Sequence, residues 1–118
     1  MLPVAIVLFV FAAIFGAIVL LAILRNHRTP KPVVIAHGSF AGFALLLVIT
    51  YIAMGHTDRL LIAGAIVLLV AAIGGFIMFG IDIFTKRPPK MIAIIHPIIA
   101  ISGVVLLFAY LLESASSS

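Results

Sequence analysis

The chain carries the stretch RTPKPVVIAHGSFA at 28–41 and a second, RPPKMIAIIHPIIA, at 87–100. Laid over one another without a gap, they match Arg28 with Arg87, Pro30 with Pro89, Lys31 with Lys90, His37 with His96 and Ala41 with Ala100. The offset is half the length of the chain, which has 118 residues, so the whole chain can be slid against itself. Doing so gives 14 identities in 59 positions, where composition alone gives about six. Upstream, Ala12, Ala13, Ile14 and Gly16 match Ala71, Ala72, Ile73 and Gly75; downstream, Tyr51 matches Tyr110. Apolar bias can align leucine with valine, but it does not align histidine, proline, lysine and tyrosine. The expected organisation is therefore one unit used twice, 1–59 and 60–118.

The unit is a pair of apolar helices. Of the whole chain 66% is hydrophobic and 8% charged, with no cysteine, and its mean hydropathy is +1.49. A soluble domain is nearer half apolar and a quarter charged, and so small a globule could not hide this much apolar surface. These figures exclude a soluble enzyme, a disordered chain and a disulfide scaffold. They leave a membrane protein with no room for an extramembrane domain. Apolar runs fall at 3–24, 33–54, 60–83 and 91–112, each long enough for a helix to cross a core of about 30 Å. The first run lacks a basic leader and ends in arginine, so it reads as a span and not as a cleaved signal. Short connectors make consecutive helices antiparallel. The fold expected is an all-α, up-down four-helix bundle in the membrane, built from two tandem hairpins with pseudo-two-fold symmetry.

Six of the seven basic residues lie at two connectors: Arg25, Arg28 and Lys31 at the first, Lys86, Arg87 and Lys90 at the third. The positive-inside rule places that end in the cytoplasm and both termini outside. A bacterial inner membrane is the expected location. Seven basic residues scattered between apolar runs do not suggest nucleic acid.

Two of the four histidines fall in connectors, His27 and His56, and read as solvated loop residues. His37 and His96 lie within apolar runs, about 9 Å along the helix beyond Lys31 and Lys90. Ionisable groups at such depth are costly and point to function. The duplication puts them at equal depth on helices two and four, diagonal to one another across the core. One and two turns further on, the same faces carry Ala41 and Ala44 on one helix, Ala100 and Gly103 on the other. Gly16 and Gly75 fall at a similar depth on helices one and three. Two facing imidazoles among small residues suit a flat macrocycle held by two axial nitrogens, and one b-type haem is the cofactor expected. Lys31, Lys90, Arg28 and Arg87 are then candidates for its propionates. Zinc is the poorer reading, since it wants three or four ligands. The competing class is a haem-free membrane protein: an assembly subunit, or a small proton-coupled transporter.

Lesser signals follow. Asp82 is the one acid within a span, and its counterpart is Ile23; the bland expectation is an i,i+4 pair with Lys86, the sharper one a proton or quinone contact. Tyr51 and Tyr110 read as interfacial anchors. Phe40, Phe43 and Phe76 could wall a porphyrin or face lipid. Pro97 leaves the Ala93 carbonyl without its helical donor, so that carbonyl, Ser39 or Ser102 could accept the second ring N–H of a ligand histidine. The tail at 114–118 reads as polar and frayed.

The pair His37 and His96–Pro97 on alternate helices of a small bundle resembles the cytochrome b561 family and related four-helix membrane b-type cytochromes. The resemblance implies axial roles for His37 and His96 and one-electron exchange with a quinone or a protein partner. Members of that family typically hold two haems, whereas this chain has a single intramembrane pair, so one haem near the cytoplasmic side is expected.

Overall fold

The computed structural model describes residues 1–85 and 87–116. It is all-α, with helices α1 (Leu2–Leu24), α2 (Lys31–Ala53), α3 (Arg59–Thr85) and α4 (Lys90–Ser116). The apolar runs predict these bounds to within a few residues. The largest difference is at the C-terminus, where α4 continues through Ser114 to Ser116; Ser117 and Ser118 lie outside the described residues.

Local chemistry sets the helix ends. At the end of α1, Asn26 takes a left-handed conformation (φ 58°). Its N–H reaches the Ile23 carbonyl and that of His27 the Ala22 carbonyl, which closes the helix in a Schellman motif with asparagine in the place glycine usually holds. Pro30 and Pro32 bracket the start of α2, where proline loses no helical donor. Gly55 turns the second connector at φ 109°, a region open chiefly to glycine. Asp58 Oδ1 then accepts the Leu60 N–H at 2.9 Å and caps α3. Pro97 sits inside α4 without ending it.

Helices of 23 to 27 residues are about 35–40 Å long, and connectors of four to six residues cannot run back along them, so neighbours are antiparallel. The bundle measures 48 × 19 × 19 Å. α1 packs on α2 and α3 on α4; the two hairpins meet through α1 with α4 and α2 with α3. The diagonal pairs make no close backbone contact among the described residues.

Burial repeats with the sequence. The buried residues of α1 are Leu2, Ala5, Phe9, Ala12 and Ile23; their repeat counterparts Leu61, Gly64, Leu68, Ala71 and Asp82 are all buried on α3. Ala44 and Val48 on α2 likewise answer to Gly103 and Leu107 on α4. The apolar core lies in the half of the bundle holding the second connector, around Leu2, Ala44, Val48, Leu61 and Leu107. Gly64 and Gly103 let α3 and α4 approach: a methyl group at Gly103 would lie 2.6 Å from Leu68 Cγ and 3.3 Å from the Gly64 carbonyl oxygen. Small residues at such crossings let helix backbones approach closely. The outside is apolar, with Phe43, Phe76 and Phe84 exposed. All four helices are long and apolar enough to cross a membrane.

Candidate functional site: two imidazoles across the bundle

α2 and α4 keep their backbones apart, yet His37 and His96 meet between them. Their ring centroids are 6.1 Å apart and the ring planes nearly perpendicular, at 83°. Both are half-buried. Each is held from its own hairpin. On α1, Gly16 leaves the gap that the His37 ring fills: a methyl group there would lie 3.0 Å from His37 Cε1. On α3, Gly75 does the same for His96, at 3.1 Å from its Cε1. The glycines expected to make room for a macrocycle thus make room for the imidazoles themselves.

The Ala12 carbonyl fixes the His37 tautomer. His37 Nδ1 lies 2.8 Å from that oxygen, and a carbonyl can only accept, so Nδ1 carries the proton. The neutral ring then holds its lone pair on Nε2. His96 does not repeat the arrangement: its Nδ1 is buried with no hydrogen-bond partner among the described residues. The acceptor differs from those expected. For His37 the neighbouring helix supplies the carbonyl, and the Ala93 carbonyl freed by Pro97 is not paired with His96 Nδ1. Ser102 turns back onto the Ile98 carbonyl at 2.8 Å, and Ser39 is exposed.

The remaining expected site residues divide. Ala41 and Ala100 are half-buried. Ala44 is fully buried in the apolar core, and Gly103 is filled against by Leu68; both serve helix packing. Arg87 and Lys90 are exposed at the third connector. Lys31 is engaged: its Nζ donates to the Asp82 carboxylate and to Thr29 Oγ1 at 2.7 Å, while the Thr29 hydroxyl donates to Asp82 Oδ2 at 2.6 Å. Asp82 therefore pairs across the two hairpins, with α2 and the first connector. The expected partner, Lys86, lies outside the described residues. Thr29 is 6% exposed and Asp82 5%. Of the phenylalanines, Phe43 and Phe76 point outward, and Phe40 stacks on Phe11 and Phe15 of α1 at 5.8 and 5.5 Å.

Comparison with protein families, with curated proteins and with solved structures finds no match for this chain.

At the opposite end His56 departs from the solvated role expected of it. It is half-buried, stacks flat on Tyr51 at 3.8 Å, and has Nδ1 2.9 Å from the Tyr51 carbonyl oxygen. His27 is exposed, as expected.

No group of three or more metal-ligating side chains occurs among the described residues. Two imidazoles alone do not complete the shell of a free metal ion such as zinc. A metal whose other positions are filled by a macrocycle takes two such donors; here the two rings meet edge to face. The Ala12 carbonyl behind His37 fits that chemistry, whereas His96 Nδ1 has no acceptor among the described residues. The packed Ala44 and Gly103 supply no space for a macrocycle.

Proposed function

We propose that the protein is an integral membrane b-type cytochrome, two tandem hairpins holding one haem between His37 and His96 and passing single electrons near the basic end of the bundle. The observation that carries this reading is the meeting of two imidazoles, from helices whose backbones do not touch, with the Ala12 carbonyl leaving His37 Nε2 free to ligate. A carbonyl accepting the other ring N–H is the usual support of a ligand histidine, since it fixes the ring and raises its basicity. The recurrence of buried positions at the repeat spacing supports the duplication. The exposed apolar surface supports insertion in lipid, because monomeric soluble proteins rarely expose so much.

Bound haem would supply a reversible one-electron couple. The chain's own residues would do the rest. His37 and His96 would hold the haem iron, with Gly16 and Gly75 setting the rings. Ala41 and Ala100 leave the neighbouring turns small. Arg28, Arg87 and Lys90 are the cations available to propionates, while Lys31 already gives two of its three N–H donors to Asp82 and Thr29. A quinone or a redox protein at the basic end is the partner class proposed. The proposed location is a bacterial inner membrane, with the first and third connectors cytoplasmic.

The test is the absorption spectrum of protein produced with ample haem. Sharp low-spin Soret and alpha bands are expected, lost or altered in His37→Ala and His96→Ala and retained in His27→Ala and His56→Ala. A colourless, folded preparation would overturn the haem reading. Proton-coupled transport by that preparation in vesicles would favour the haem-free alternative, for which the buried Asp82 is the supporting feature.

A further inference from the structure

The two hairpins present the same basic triplet, Arg28–Pro30–Lys31 and Arg87–Pro89–Lys90, but not the same surroundings. Beside the first stand Thr29 and Asp82, and the equivalent positions beside the second hold Pro88 and Ile23. The difference has a structural result: Arg28, Thr29, Lys31 and Asp82 line a cavity of about 270 Å³ between the first connector, α2 and α3. Within it the charges do not cancel. Lys31 is matched by Asp82, and the Thr29 hydroxyl is committed to the same carboxylate. The Arg28 guanidinium is the remaining charge, exposed and without a protein partner among the described residues. Just beyond Asp82, the last turn of α3 presents Ile83 and Phe84 exposed, at 49% and 88%.

We propose that this cavity binds the phosphate of an anionic phospholipid, with Arg28 as its principal ligand and Lys31 as a second donor. The inference rests on the membrane reading, not on the haem. An arginine fork matches two phosphate oxygens, and basic pockets between helices on the cytoplasmic side suit anionic headgroups. Lys31 can offer its third N–H without leaving Asp82 and Thr29. The Asp82 carboxylate opposes an anion, and its engagement with both neighbours limits that opposition. Acyl chains would run along the apolar exterior below Ile83 and Phe84. The second hairpin has the charge but lacks the Thr29 and Asp82 equivalents, and so provides an internal control.

Detergent-purified protein would be mixed with phosphatidylcholine alone or with added phosphatidylglycerol, and bound lipid read by native mass spectrometry alongside thermal unfolding. Preferential retention of phosphatidylglycerol is expected, reduced several-fold in Arg28→Gln and unchanged in Arg87→Gln. Equal losses in both variants, or in neither, would overturn the cavity as the site. Inorganic phosphate matching the lipid's thermal shift would overturn a lipid in favour of a free anion. Extraction of the protein from membranes by alkaline carbonate would instead count against the membrane reading itself.

Discussion

The imidazole of His37 is held by one hydrogen bond and one absence: the Ala12 carbonyl on one side and the missing side chain of Gly16 on the other. The two constraints act on the same ring, so a residue without polar atoms governs the orientation of one with them. Gly16→Val and Gly75→Val should each push the facing ring away. The expected cost is about 1–3 kcal/mol, and under the proposed haem reading the absorption bands should be lost or broadened. Gly42→Val is the comparison, since nothing lies within 4 Å of a methyl group there, and it should leave both readouts unchanged. Thermal unfolding in detergent and the absorption spectrum check the set. This much is half legible in sequence. The spacing marks Gly16 and Gly75 as equivalent small residues at the depth of the histidines. Which neighbour uses the gap depends on how α1 sits on α2, and no single-helix pattern carries that.

Among the helices, the hairpins are joined unequally. Within each, helices pack along their length, while between them α2 and α3 meet less extensively and are tied by Lys31, Thr29 and Asp82. Asp82 occupies the position where the first hairpin buries Ile23, at 8% exposure. A carboxylate in that place is tolerable only because two donors reach it. Asp82→Asn should weaken docking of the hairpins by about 1–3 kcal/mol by leaving Lys31 and Thr29 mismatched. Asp82→Ile combined with Lys31→Met should recover much of the loss, because an apolar pair of similar volume often replaces a buried ion pair without cost. A double-mutant cycle in detergent unfolding measures the coupling, and additivity of the two single changes would show the pair to be inert. Sequence spacing suggests Lys86, because i,i+4 is the contact a helix makes with itself. Lys31 belongs to the other hairpin, and only the packing of α2 on α3 brings it near Asp82.

Across the full bundle, antiparallel helices and a basic end make a prediction about sidedness. The chain has no cysteine, so single cysteines can be placed cleanly. Asn26→Cys in the first connector and Thr57→Cys in the second are both at exposed positions. In intact bacterial cells Thr57→Cys should react with an impermeant thiol reagent, and Asn26→Cys only after permeabilisation. The reverse pattern would invert the proposed orientation. Labelling of both in intact cells would mean that the helices do not span.

Read alone, the amino-acid chain sets four helices and, to within a few residues, their limits. Apolar run length and turn chemistry are local properties, and a span of helix in lipid must satisfy its backbone internally whatever it packs against. The chain also sets His37 and His96 on alternate helices, at matching positions of two stretches that share residues at a fixed offset. The partners come from packing: the Ala12 carbonyl for His37, Lys31 and Thr29 for Asp82, Leu68 in the space left by Gly103, and Tyr51 under His56. Each is set by the rotation and crossing of neighbouring helices. That rotation follows from summed contacts along whole interfaces, which a chain with apolar residues on every face of its helices does not announce in its pattern.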